Sequence, residues 1–298
     1  MPSTASRSRA VRTSLFVLGL ALVVAVAALV MTERSQDSPS TPAGSAVSLA
    51  EVRKRPPIYR FLYDWTPSAR QIAVAQGRLI TTCMAGHGFT YTPPPVATVE
   101  EGAQWPTPFG LETLDVPGTD TAETLPPEEP KGEAYTRALF GDPDDRIRAK
   151  SESFTVSRPA TGCQAEAEER LLGDERLRWL RLRLRLGDGE REAFDMLEKA
   201  PGFRAAQARW RTCMKETGFD EKDPLRFLNS LPADTDIRTH RAARADVRCK
   251  ADTDYLVAAY SELAAAQEKW LDEHPDVRAG WTELRKRQEA EAHRVLAE

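Results

Sequence analysis

Four cysteines, two of them inside a repeated motif, constrain this chain more than any other feature of its sequence. The motif Cys-Met-x-x-x-Gly-Phe occurs at residues 83–89 and again at residues 213–219. One further cysteine follows each copy, Cys163 after the first and Cys249 after the second, and acidic residues follow both of them. The pattern predicts two related units, each with its own disulfide bond.

The repeated motif has a structural interpretation as a helix stop. If Gly218 takes a left-handed conformation, which glycine adopts without steric cost, the helix ends there. In this kind of stop the side chains of Met214 and Phe219 meet, and a contact between methionine sulfur and an aromatic ring is favourable. The first copy predicts the same arrangement for Met84, Gly88 and Phe89.

A functional interpretation of the first copy makes Cys83 and His87 a redox or metal pair, because residues four apart share one helical face. The chain has no Cys-x-x-Cys, and no other histidine lies near a cysteine at ligand spacing. The helix stop is therefore the favoured interpretation, and the sequence predicts no metal, cofactor or catalytic residue.

An unbroken apolar run from Leu15 to Met31 follows three arginines within the first twelve residues. The run has about the minimal length for a membrane-spanning helix, and the arginines favour a cytoplasmic N-terminus. It predicts a single-pass signal anchor at 15–31, a cytoplasmic tail at 1–14, and the rest of the chain outside the cytoplasm. The alternative is a secreted protein whose signal is cleaved at the Ala-Val-Ala of residues 25–27.

Cysteines outside the cytoplasm usually form disulfides, so the four cysteines predict two bonds. Three pairings are possible, and the repeat favours Cys83–Cys163 and Cys213–Cys249. The net charge of −4 argues against non-specific binding of nucleic acid, which needs a basic surface.

The remaining chain predicts an all-α fold, a disulfide-linked helical bundle with an internal duplication. Residues 32–57 are rich in Ser, Thr, Pro and Ala and predict a flexible stalk. The helical domain is expected at 58–298, with unit one at 67–172 and unit two at 201–298. Residues 91–132 of unit one are rich in proline and acidic residues and predict a long, mostly disordered insertion.

Three shorter segments of the domain carry separate predictions. Within the insertion, the aromatic side chains of Trp105 and Phe109 are candidates to dock locally although the segment around them is predicted to be disordered. Residues 181–186 alternate Arg and Leu, which is a strand pattern, but a helix over residues 176–186 is favoured because its neighbours are helical. Residues 234–274 predict one long helix.

An arginine series is the one feature of the sequence with evident binding potential. It is able to meet anionic headgroups, wall polymers or the acidic insertion of the same chain. The alternative, which scattered charge favours, is a set of exposed helix edges with ordinary ion pairs. The series consists of Arg176, Arg178, Arg181, Arg183 and Arg185.

The second copy of the motif, in the form Trp210-Arg-Thr-Cys213-Met214-x-x-x-Gly-Phe with a later Cys249, resembles a group of actinobacterial proteins. These are uncharacterised extracytoplasmic proteins, membrane-anchored or secreted, with paired Cys-Met-x-x-x-Gly-[Phe/Tyr] motifs. The resemblance runs from about residue 67 to the C-terminus, and the first copy departs from it with Ile80 in place of the tryptophan and with its long insertion. The group has no established activity to carry over, and the resemblance implies an accessory role at the cell envelope.

These features favour a membrane-tethered, extracytoplasmic interaction module of the cell envelope that is not catalytic. Its expected partners are the membrane itself, through the single N-terminal helix, and an envelope or membrane protein. One alternative is an envelope hydrolase, although no known catalytic motif is present in the sequence. A further alternative is a sensor or regulator whose acidic insertion responds to the arginines or to divalent cations.

Overall fold

The computed structural model describes residues 48–98, 105–115, 131–232 and 234–298. The chain divides into two compact units, Met1–Ser45 and Ala46–Glu298, and only the second contains described residues. The predicted cytoplasmic tail, the membrane anchor and most of the stalk therefore lie outside the described residues. Among the helices of the described ranges, none is both long enough and apolar enough to cross a membrane.

Helices make up most of the described chain, which confirms the predicted helical class. The segment of alternating Arg and Leu is helical, as favoured from its neighbours. The helices are α1 (Leu49–Arg53), α2 (Pro57–Tyr63), α3 (Pro67–Gly86), α4 (Gly132–Phe140), α5 (Cys163–Leu172), α6 (Arg176–Leu197), α7 (Pro201–Glu216), α8 (Phe227–Ser230), α9 (Arg241–Asp252), α10 (Tyr255–Glu273) and α11 (Pro275–Ala297).

One element makes the purely all-α expectation wrong. Strands β1 (Arg146–Lys150) and β2 (Thr155–Pro159) form an antiparallel hairpin in which Ile147 lies opposite Arg158. β1 reads Arg-Ile-Arg-Ala-Lys, an alternation of polar and apolar residues that suits a half-buried strand, and its Ala149 is buried.

A helix holds the turn of this hairpin in place. The carboxylate of Asp188 in α6 accepts hydrogen bonds from the Ser151 hydroxyl and from the backbone N–H groups of Glu152 and Ser153, at 3.1–3.2 Å. An isolated two-stranded hairpin is marginally stable in water, so these contacts account for its presence in a helical protein.

The predicted disordered insertion is partly ordered. Phe109 is fully buried, and its ring centroid lies 4.7 Å from that of Tyr260 in edge-to-face contact. Trp105 packs at the edge of the same core, so both proposed docking residues are in place. The prediction of disorder is wrong for residues 105–115. Residues 91–98 are described without helix or strand, and the Ala97 carbonyl accepts a hydrogen bond from the Trp65 indole N–H at 3.2 Å. Residues 99–104 and 116–130 lie outside the described residues.

The folded domain begins before the predicted end of the stalk at residue 57. Ser48 caps α1, and Val52 of that helix is buried in the largest core cluster. The backbone N–H of Ile58 donates to the side-chain oxygen of Gln267 at 2.9 Å, inside the protein. The last ten residues of the predicted stalk therefore belong to the domain, because their apolar side chains have a core to pack against.

The predicted long helix at 234–274 is interrupted. Asp254 has φ of +51°, which separates α9 from α10. Aspartate tolerates this left-handed conformation better than most residues do. The Thr253 hydroxyl also donates to the Cys249 carbonyl at 2.6 Å, in the last turn of α9.

The two predicted units share a core rather than standing apart. The C-terminal helix α11, from unit two, packs on α3 and α5 of unit one as well as on α6. Ala292 and Val295 of α11 lie in one buried cluster with Ile72, Ala75 and Leu171. Internal duplication stays a prediction, but any duplicated halves are joined by this helix into one packed body.

Candidate functional site

An open groove with a volume of about 570 Å³ lies between α2, α6 and the hairpin turn. Four aromatic side chains line it, and we call it the aromatic groove. They are Tyr59 and Tyr63 of α2, Phe154 of the hairpin turn and Phe194 of α6.

Local sequence positions these rings. Tyr59 and Tyr63 are four residues apart, so they share one face of α2 and meet edge to face with centroids 5.6 Å apart. Phe154 rests on α6 at Gly187, where an added Cβ would stand 3.3 Å from the Phe154 ring. The absence of a side chain at Gly187 thus lets the hairpin turn approach the helix. Phe154 still remains 44 % exposed.

The groove also holds a paired acid. The Tyr63 hydroxyl donates to Glu190 Oε2 at 3.0 Å. Burial raises the pKa of Glu190 above its ordinary value, against the opposing effects of the Tyr63 hydrogen bond and the charge of Arg183. Burial and the negative charge of Glu190 raise the pKa of Tyr63 to about 12, so this hydroxyl stays a donor at neutral pH.

The arginine series divides between structural and exposed members. Arg176 is buried and binds Glu168 and the carbonyl oxygens of residues 159 and 160. Arg178 pairs with carboxylates on two sides, and Arg185 stacks over Trp270 with its guanidinium carbon 5.8 Å from the ring centroid. The two exposed members are Arg181 and Arg183, and of these Arg183 lines the aromatic groove.

The repeated motif forms the predicted helix stop in both copies. Gly218 has φ of +93°, and the backbone N–H of Phe219 donates to the Met214 carbonyl at 2.9 Å. Gly88 has φ of +81°, and the Phe89 N–H donates to the Met84 carbonyl, also at 2.9 Å.

Both favoured disulfides are present, so the prediction of two bonds is confirmed. Cys83 is bonded to Cys163, which joins α3 to α5, and Cys213 is bonded to Cys249, which joins α7 to α9. His87 lies near the first bond, and its ring nitrogen and the two sulfurs fall within 4.8 Å of one another. Because both sulfurs are in a disulfide, this cluster offers no thiolate for a metal ion.

A buried ion pair escaped the sequence analysis. Lys250 and Asp246 of α9 are both completely buried, with Lys250 Nζ 2.9 Å from Asp246 Oδ2. The same ammonium donates to the carbonyl oxygens of Phe109 and Leu111 at 3.0 and 2.7 Å. The Trp210 indole N–H donates to the other carboxylate oxygen of Asp246 at 2.8 Å.

A second acid holds the same insertion segment. Glu112 is buried and accepts hydrogen bonds from Arg53 of α1 and from the Tyr260 hydroxyl. Lys250, Asp246 and Glu112 are each paired with other groups of the protein. We therefore assign them a structural role, which is to hold residues 105–115 of the insertion against the domain. One sequence signal was available: Asp246 and Lys250 are spaced i, i+4 on a helix face that also carries Ala242 and Cys249.

Comparison with known proteins adds no assignment to this geometry. No protein-family model, no curated protein and no solved structure matches the chain.

Proposed function

We propose that this protein is a membrane-tethered, extracytoplasmic helical module that binds a segment of a partner polypeptide at the cell envelope. The tether is the apolar run at 15–31, and its arginine-rich flank favours a cytoplasmic N-terminus. The two disulfides support an oxidising compartment, because such bonds are rare in the cytoplasm. The observation that carries the binding role is the aromatic groove with its exposed Phe154.

The groove has the chemistry of a protein-binding surface. Aromatic and arginine side chains are enriched where proteins meet, because they combine a large apolar area with directional polar groups. Here the rings would receive an apolar side chain of the partner. Beside the rings, the Arg183 guanidinium offers hydrogen-bond donors to the partner and the Glu190 carboxyl offers an acceptor. The groove is open to solvent, which suits a chain passing through it.

Photo-crosslinking of the full chain in its native membranes tests this role. Benzoylphenylalanine at Phe154 should give one adduct of defined mass, and Arg183→Glu should abolish it. Phe140 provides a matched control, because it is 42 % exposed and lies outside the groove lining. The same adducts from both positions, or none from Phe154, would refute the groove as the binding surface.

The tether is tested separately by its membrane attachment. The full chain should stay with membranes during alkaline extraction, and protease added outside the cytoplasm should digest the domain. A mature protein that begins shortly after residue 27 would instead establish the secreted form.

One observation favours an envelope hydrolase as a second candidate. Glu190 is a half-buried carboxyl with a raised pKa inside a groove, which is the condition expected of a general acid. A hydrolase would lose its activity in Glu190→Gln, whereas a binding module should keep its Phe154 adduct in that variant.

A further inference from the structure

A second cavity, on the other side of α2 from the aromatic groove, is lined by three cations. It has a volume of about 240 Å³ and lies between α2, the start of α3 and α11. Its lining includes the apolar side chains Phe61, Ile72 and Trp281. We call it the cation pocket, and its cations are Arg60, Arg285 and Lys286.

Arg285 differs from the other arginines of α11. Arg278 lies 2.7 and 3.1 Å from two carboxylates, Arg294 lies 2.6 Å from Glu291, and Arg287 lies 4.0 Å from two further acids. Within the described ranges, Arg285 has no such ion pair, and its hydrogen bond is a long one of 3.5 Å to the Gln288 side chain. The other three arginines of α11 therefore have acidic partners, whereas Arg285 faces the cavity.

The surroundings of Arg285 disfavour its charge. Burial lowers the pKa of Arg285 below its ordinary value, and the positive charge of Arg183 acts in the same direction, against the attraction of Glu289. A half-buried cation without a close counter-ion costs free energy that a bound anion would recover.

The pocket's two carboxylates compensate its cations only in part. Glu289 attracts Arg285 without forming a close ion pair and accepts a hydrogen bond from the Ser68 hydroxyl at 2.5 Å, and Asp64 caps the end of α2. The Thr282 hydroxyl donates to a backbone carbonyl of its own helix. Three cations against two carboxylates leave the pocket with one excess positive charge, and Arg183 adds to the positive field.

We propose that the cation pocket binds a phosphodiester group, with Arg285 and Lys286 as its main contacts. A phosphodiester carries a single negative charge, which matches the excess charge of the pocket. The planar guanidinium can donate two parallel hydrogen bonds to phosphate oxygens, and lysine contributes a mobile point charge. The apolar lining gives the organic substituent a surface to rest on. Such a group occurs in phospholipid headgroups and in soluble glycerophosphodiesters.

The test compares the same headgroup in soluble and lipid form on the full chain in a nonionic detergent. Calorimetric titration with glycerophosphoglycerol measures the soluble arm. Native mass spectrometry with phosphatidylglycerol or phosphatidylcholine measures the lipid arm. Either soluble binding or preferential retention of phosphatidylglycerol supports the site, and the arm that responds identifies the source. Failure of both arms overturns the proposal.

Matched variants show whether this pocket is responsible. Arg285→Gln should weaken binding by about tenfold or more, because the guanidinium charge and its pair of parallel hydrogen bonds are lost. Lys286→Ala, at an exposed position, should weaken it several-fold. The double variant Arg204→Gln/Lys215→Ala removes the same charge from exposed positions on α7. An equal loss in that control would mean that net charge, and not the pocket, attracts the ligand.

Discussion

Removal of the buried lysine gives the sharpest test of how the insertion is held. In Lys250→Met the aliphatic volume of the side chain is largely kept, so packing changes little. Asp246 is then left with the Trp210 indole N–H as its remaining close donor. The carbonyl oxygens of Phe109 and Leu111 lose their shared donor at the same time.

The magnitude follows from the burial of the pair. Both side chains are 0 % exposed, so water neither screens the attraction nor solvates the carboxylate that remains. An exposed pair would contribute about 0–1 kcal/mol, whereas breaking a buried pair costs about 3–5 kcal/mol. We expect Lys250→Met to lower the free energy of unfolding by about 3–5 kcal/mol. The double variant Asp246→Asn/Lys250→Met should recover a large part of this loss, because no charge stays buried.

The cost should also depend on pH. Burial raises the pKa of Asp246 from 3.8 to about 6, although Lys250 opposes the rise, so the pKa should be higher still in Lys250→Met. A carboxyl whose folded pKa exceeds its unfolded pKa stabilises the fold below the unfolded value and loses this stabilisation as pH rises through the folded value. The variant should therefore be less destabilised near pH 5 than at pH 7.

Urea unfolding of the full chain in nonionic detergent, followed by tryptophan fluorescence, measures these differences. Limited proteolysis should also cut residues 105–115 faster in Lys250→Met than in the wild type, because their anchor is gone. A loss below about 1 kcal/mol at pH 7, the value for an exposed pair, would refute the reasoning.

Three further changes test other parts of the fold. Gly218→Val should cost more than about 1 kcal/mol, because φ is +93° there. Gly86→Ala, at the last residue of α3 with open space around it, should be neutral or stabilising in the same melting experiment. Asp188→Ala should cost about 1–3 kcal/mol and speed proteolysis of the hairpin turn, since three hydrogen bonds are lost; unchanged protection would contradict the anchoring role. Glu190 has a raised pKa, so its contribution to stability is present below its ordinary pKa and falls as pH rises through the raised value. Glu190→Gln should therefore flatten the dependence of the melting temperature on pH, and an unaltered dependence would show that the pKa of Glu190 is not raised.

The helix stops were predictable because their physics is local. Gly218, Met214 and Phe219 lie within six residues of one another, and the hydrogen bond that closes the stop joins two of them. The disulfide pairing was also predictable, since the repeat relates the two cysteine pairs. The first inference needed only neighbouring residues, and the second needed only a comparison of the two copies of the motif with the cysteines that follow them.

Two of the errors, at the insertion and at the hairpin, share one cause, which is contact between residues far apart in sequence. The composition of the insertion indicates disorder, but Phe109 is held by Lys250, 141 residues away. The hairpin has short strands with several arginines, and its turn depends on Asp188, which follows the turn by 35–37 residues. Local patterns contain no information about such partners, so composition and periodicity gave the wrong answer at these places.

The arginine series shows how the same limit affects the search for a site. Five arginines looked equivalent in sequence, and only tertiary contacts separate the paired Arg176 from the exposed Arg183. Arg285, which lines the cation pocket, lies outside the series in the basic run Arg285-Lys286-Arg287, and the sequence does not separate it from the paired Arg287. Arg183 contributes to the pKa of both Glu190 and Arg285, so it connects the two candidate sites electrostatically. α2 separates them, with Tyr59 and Tyr63 on the groove and Arg60 on the pocket. An anion bound in the cation pocket would offset the positive charge of Arg183, which now limits the rise in the pKa of Glu190. Occupancy of the pocket should therefore raise that pKa further, by an amount that falls with ionic strength.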